Sequence, residues 1–126
     1  MTNEKLIEMA EEAMKNAYAP YSSFSVGAAV LTDDGSVYTG CNIENSSYGA
    51  TICAERTAIV KAVSEGKRKF EKIAIVSSSG DLTYPCGMCR QVMSEFMIDG
   101  IVVLKDKDGN ITEEKVKELI PKSFVL

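Results

Sequence analysis

Three apolar runs constrain this chain most: FSVGAAVLT at residues 24–32, KIAIVSS at 72–78 and IVVLK at 101–105. Each is short, rich in β-branched residues and bounded by turn residues, the pattern of a buried strand. Segments with helical spacing separate them. Residues 4–17 place Leu6, Met9, Ala10, Ala13, Met14 and Ala17 near one face. Residues 53–66 repeat Ala54, Ala58 and Ala62 with Ile59 and Val63, and Gly66 stands where a helix would stop. Residues 87–99 turn Val92, Met93 and Phe96 inward. Asp33-Asp34-Gly35 predicts a hairpin into a second strand over 36–41. A small strand near Asn110 and Ile111 and a short helix over 115–120 close the order. This alternation predicts an α/β fold, a mixed sheet flanked by helices, in one domain spanning residues 1–126. The runs around Ile75 and Val103, joined through a helix, should lie parallel. Ligands in such sheets bind beyond the carboxyl ends of the strands. Two loop-to-helix junctions, at 51–53 and 85–87, fall at such ends.

Charge and composition exclude several classes of function. The 18 acidic and 14 basic residues give a net charge of −4. An acidic chain repels a phosphate backbone, so no nucleic-acid partner is expected. The dense basic run Lys67-Arg68-Lys69 is flanked by Glu65 and Glu71 and reads as a solvated helix end. No apolar stretch reaches about 18 residues, so no membrane span is expected. The charged, helix-periodic start lacks the features of a signal peptide, which predicts a cytoplasmic protein. In a reducing compartment, four cysteines point to metal or catalysis rather than disulfides.

The chemistry-bearing residues sit at the two junctions. Cys86-Gly87-Met88-Cys89 follows Pro85 at the start of a helix, so both thiols share a face near free backbone N–H groups. That position should depress both pKa values. Taken alone, the pair fits half a zinc site, a redox dithiol or two packed thiols. The other junction supplies Cys53-Ala54-Glu55-Arg56. Glu55 reads either as a first-turn carboxylate favoured by the helix dipole or as a proton carrier beside a metal-held water. Arg56, one turn from Cys53, is either a surface cation or a donor to the sulfurs of Cys53 and Cys86. The chain has no histidine to complete a mixed site.

Zinc deaminases carry H-x-E followed by P-C-x-x-C, with cysteine allowed for the histidine. Cys53-Ala54-Glu55 and Pro85-Cys86-Gly87-Met88-Cys89 resemble that pattern. With PYSSFSVGAAV, GCNIENSSYGATICAERTAI, PCGMCRQV and the terminal PKSF, the chain resembles the small, homotetrameric, three-cysteine cytidine deaminases from Tyr18 to Phe124. The resemblance implies a three-layer α/β/α fold with a mixed, mostly five-stranded sheet. It implies one Zn2+ per subunit on Cys53, Cys86 and Cys89, with Arg56 compensating their charge. It implies hydrolytic deamination of free cytidine and 2′-deoxycytidine in pyrimidine salvage, Glu55 activating the water that attacks C4. Asn42 and Glu44 would bond the sugar hydroxyls, and Phe24 would pack against the nucleoside. Neighbouring subunits of a homotetramer would contribute Ser46, Tyr48 and Phe124.

The residues also allow plainer roles. Asn42 and Asn45 fit Asx turns, Phe24 a core strand position and Phe124 a terminal anchor. Ser46 stands where the family often has alanine, and Met88 replaces a commonly smaller residue. Two other readings are a deaminase of another cytosine-like nucleoside, such as a nucleoside antibiotic, and a non-catalytic zinc module in which Glu55 is idle. Cys41 as a fourth thiolate would close the metal site, so a packed position is expected for it. Asp106-Lys107-Asp108-Gly109-Asn110 mimics a calcium loop. Ile111 and Lys117 stand at its sixth and twelfth positions in place of glycine and glutamate, so a hairpin turn is expected.

Overall fold

The computed structural model describes residues 1–126. The elements run α1 (Asn3–Met14), β1 (Val26–Thr32), β2 (Val37–Cys41), α2 (Ala54–Ser64), β3 (Phe70–Ser77), α3 (Gly87–Met97), β4 (Ile101–Lys105), β5 (Ile111–Lys115) and α4 (Val116–Leu119). Every expected element is present. Thr2 caps α1 by accepting from the Lys5 N–H at 3.1 Å. The helix ends at Met14, short of the expected Ala17, and its inward face is Leu6, Ile7 and Ala10. The fifth strand is larger than the sequence suggested, because the Asp106 turn makes a full hairpin with β4. Asp106 Oδ1 accepts from the N–H groups of Asp108 at 2.9 Å and Asn110 at 2.8 Å, as expected for a turn.

The strands lie in the order β2-β1-β3-β4-β5. Only β3 and β4 are parallel, with Lys72 opposite Ile101 and Ile75 opposite Leu104. The other pairings are antiparallel. Each face of the sheet buries its own cluster. Val30, Ile73, Ile75, Val102 and Leu104 meet α2, α3 and α4 through Ala58, Ile59, Met93 and Val116. Ala29, Ala74, Val76 and Val103 meet α1 through Leu6, Ile7 and Ala10. The alternation along each strand sorts these two sets, and the result is a three-layer α/β/α sandwich. No helix is long and apolar enough to cross a membrane.

Strand direction decides where the site forms. β2 and β3 each run antiparallel to β1, so they point the same way. Their carboxyl ends therefore open at one edge of the sheet. β2 leads through residues 42–53 into α2, and β3 leads through 78–86 into α3. Both helices start at that edge.

Leu104 is fully buried between β4 and the helix layer. Leu104→Ala should lower unfolding free energy by about 2–5 kcal/mol, read from urea denaturation.

Candidate active site

Two helix N-termini deliver the thiols. Cys53 is the N-cap of α2, Cys86 is the N-cap of α3, and Cys89 lies one turn further on. Neither sulfur makes a capping bond to a backbone N–H of its own helix, so both are free to face each other. Cys53 Sγ lies 3.7 Å from Cys86 Sγ, and Cys86 Sγ lies 3.5 Å from Cys89 Sγ. All three lie within 4.8 Å of one another and no disulfide joins them. Tetrahedral zinc with Zn–S bonds of about 2.3 Å places its sulfurs about 3.8 Å apart. The spacing and the donor set therefore fit zinc. Cys41 stands outside the trio, half-buried, and burial raises its pKa.

The thiols do not share one acidity. Hydrogen bonding from Cys89 and then from Arg56 lowers the Cys53 pKa to about 5. The Cys89 pKa moves up, through its bond to Cys53 and then through burial. The expectation that the helix start would depress Cys89 is thus overturned. Three sulfurs this close cannot all ionise unaided, and the most buried one keeps its proton.

Arg56 lies one helical turn from Cys53, and its Nη2 donates to Cys53 Sγ at 3.6 Å. Cys86, the other expected acceptor, is exposed and receives no hydrogen bond from it. Arg56 Nε is buried with no partner in the chain. A guanidinium with a spare donor beside three sulfurs is matched to a thiolate set bearing negative charge.

Glu55 is 4% exposed although it lies in the first turn of α2. Burial, then the charge on Cys53, raises its pKa to about 7, against its own backbone N–H, the Cys89 thiol and Arg56. A buried first-turn carboxylate gains little from the helix dipole that would compensate desolvation, so the plain structural role is the weaker account.

Glu55, Cys53 and Cys86 line a cavity of about 280 Å³, together with Phe24, Val26, Asn42 and Glu44. The sequence reading did not single out Ser22, Thr51, Ile52, Thr83 or Tyr84, which also line it. Their signal was adjacency alone: Thr83 and Tyr84 directly precede Pro85, and Ser22 precedes Phe24. At Ser22, Glu44 and Thr51 the cavity adjoins a second hollow of about 300 Å³, walled by Tyr21 and Tyr48.

The loop between β2 and α2 is less free than its composition suggested. Ile43 pairs with Ile52 through two backbone bonds of 3.0 Å. Asn45 makes the expected Asx turn, its Oδ1 accepting from Ser47 N–H at 2.9 Å. Asn42 does not make one. Its buried amide donates to Phe24 O at 2.8 Å and accepts from Val26 N–H at 2.9 Å, fixing the start of β1. Phe24 is therefore outside the strand, with its ring partly exposed at the cavity instead of in the core. Glu44 accepts from Tyr21 N–H at 2.8 Å, from Ser22 N–H at 3.1 Å and from the Ser22 hydroxyl, and these bonds lower its pKa. Ser46 Oγ bonds the Tyr21 hydroxyl at 2.6 Å, and Tyr48 packs edge-on against Tyr21. Ser46, Tyr48 and Phe124 are exposed and do not line the cavity of their own chain. Phe124 is no core anchor: only its carbonyl is tied, by Gln91 Nε2 at 3.3 Å.

If the trio holds the metal, Cys41→Ser should keep one zinc per chain, whereas Cys53→Ser and Cys89→Ser should each lose it. Atomic absorption on the dialysed proteins reads the difference.

Known proteins resemble the chain over most of its length. The family model for the cytidine and deoxycytidylate deaminase zinc-binding region matches residues 1–105. The chain is 50% identical over 125 residues to a cytidine deaminase of Sporosarcina psychrophila, covering 98% of this chain and 92% of that one. It is 51% identical to a cytidine deaminase of Halalkalibacterium halodurans, covering 98% and 95%. The crystal structure of cytidine deaminase from Burkholderia pseudomallei matches with a TM-score of 0.93 at 46% identity, covering 98% of this chain and 100% of that one. The three-cysteine cluster, the fold and these likenesses agree, and the chain belongs to the cytidine and deoxycytidylate deaminase zinc-binding family.

Proposed function

We propose that this chain hydrolyses free cytidine and 2′-deoxycytidine to uridine and 2′-deoxyuridine, as a cytoplasmic enzyme of pyrimidine salvage acting through the single domain 1–126. Glu55 carries this reading: a buried carboxyl with a pKa near 7 in the cavity wall, beside three sulfurs spaced for zinc. A non-catalytic zinc module would have no use for such a group.

When bound, zinc supplies the Lewis acidity that lets a water molecule lose a proton near neutral pH. Glu55 then works as the proton carrier. It accepts one proton of the attacking water and passes it to N3 as the C4–O bond forms, then takes the remaining hydroxyl proton and passes it to the amino group, which leaves as ammonia as the C4 carbonyl forms. A pKa near 7 suits a group that must take and return a proton in the same turnover. Arg56 holds the Cys53 sulfur and offsets its charge.

The sugar falls to the β2–α2 loop. Asn42 and Glu44 already bond their own chain, but a carboxylate and an amide each keep unused bonding capacity. Adjacent ribose hydroxyls fit that capacity, and the Phe24 ring supplies an apolar wall. A homotetramer with shared sites is the assembly that gives Ser46, Tyr48 and Phe124 a role. Tyr48 is 76% and Phe124 68% exposed, a large apolar area for a chain to leave uncovered.

Loss of cytidine absorbance on incubation with zinc-loaded protein tests the activity. Unchanged absorbance would sink the reading, and turnover confined to other cytosine-like nucleosides would replace the substrate. Glu55→Ala should give a folded, zinc-loaded protein with turnover reduced at least about 100-fold. Arg56→Ala should lower turnover while one zinc per chain is retained, and wild-type turnover would remove its electrostatic role.

A further inference from the structure

Resting on the deaminase reading, we propose that Gly40 is a positioning residue for catalysis: its missing side chain sets how close α2 lies to the sheet, and thereby where Glu55 and Cys53 stand. A Cβ built at Gly40 would lie 2.5 Å from Ala58 N, 2.7 Å from Ala54 O and 2.9 Å from Thr57 Cβ. Two of these atoms are backbone and cannot rotate away. Ala54 stands between Cys53 and Glu55, and Thr57 Oγ1 bonds Cys53 O at 3.1 Å. Gly40 therefore sits against the first turn of the helix that carries the proton carrier and one metal ligand.

The surrounding residues are small in register with it. Ala28 pairs with Gly40 across β1 and β2, and Ala54, Ala58 and Ala62 line the buried side of α2. No long side chain is available here to absorb an added methyl group. Restoring ordinary contact, at 3.4 Å or more from the Ala58 nitrogen, requires α2 to withdraw by about 0.9 Å. A shift of about 1 Å in a catalytic group costs on the order of 100-fold in rate. Phe24, Asn42 and Glu44, which face the nucleoside, are not carried by α2 and stay in place. Cys86 and Cys89 also stay, on α3, so the sulfur trio is stretched at Cys53.

The position therefore predicts a split signature. Gly40→Ala should lower kcat about 100-fold with KM changed by less than about threefold. Zinc should pass to a competing chelator about tenfold faster than from the unaltered protein. Ile7→Ala serves as the stability control. Ile7 lies on the buried face of α1, against the opposite face of the sheet, and α1 contributes no residue to the cavity around Glu55. It should lower the melting temperature yet leave kcat and zinc release unchanged. If Gly40→Ala does not fold, Ala28→Val adds bulk beneath the same helix and must show the same split. Unchanged kcat and zinc release in whichever of these two variants folds overturns the proposal. So does an equal fall in Ile7→Ala. Should the unaltered protein fail to deaminate cytidine, the deaminase reading falls, while the zinc-release comparison still decides whether Gly40 seats α2.

Discussion

The direction of two strands underlies the whole site. β2 and β3 point the same way because each pairs antiparallel with β1. A parallel pairing on either side would send one of the two following helices from the opposite edge of the sheet. Cys53 and Cys86 would then be separated by the length of a strand, roughly 15–20 Å for five or six residues. The 3.7 Å between them is thus a consequence of topology before it is one of side-chain choice. The hairpin at Asp33-Asp34-Gly35 fixes one direction, and the β1–β3 register fixes the other.

Given that convergence, burial sorts the ionisable groups by role. Cys53 loses its proton readily because donors surround it, while Glu55, two residues further along, keeps its proton to about pH 7 because solvent does not reach it. Two acids on one helical turn are held at opposite ends of their usual ranges. The difference comes from their surroundings: Cys53 caps α2 and accepts hydrogen bonds from its neighbours, whereas Glu55 in the first turn is buried. Such a separation is what the proposed roles require, one group to hold a cation and the other to exchange protons.

The elements and the Cys86–Cys89 pair were legible in the sequence because their signals are local, whereas Cys53, 33 positions away, joined the pair only through the family resemblance. Alternating apolar runs mark the strands, and Pro85 with Cys86 and Cys89 marks the start of α3 within five residues. The rest depended on contacts between distant residues. Asn42 looked like a turn residue from its neighbours, yet its amide is taken by Phe24 and Val26, 18 and 16 positions away. That clamp is also what pulls Phe24 out of the strand in which its hydrophobicity would place it. The rise in the Cys89 pKa was equally hidden, since a helix start predicts the reverse while the proximity of Cys53 and then burial raise it. Spacing along α2 placed Arg56 near Cys53, but no spacing rule could exclude Cys86, which comes from another helix.

The missing histidine ties these observations together. Three thiolates around Zn2+ leave a net charge of −1, whereas two thiolates and a neutral imidazole leave zero. Excess negative charge weakens the metal as a Lewis acid, so an all-cysteine site needs a nearby positive group to remain useful in catalysis. The chain places two helix N-termini and one guanidinium there, and the guanidinium keeps a buried donor in reserve. Had the trio been purely structural, neither Arg56 nor the burial of Glu55 would follow from holding the metal. A closed site would instead favour a fourth thiolate, and Cys41 lies elsewhere. Cys53 and Cys86 instead line a cavity whose wall also contains the buried Glu55 carboxyl, its pKa raised to about 7, which is the arrangement the proposed reaction calls for.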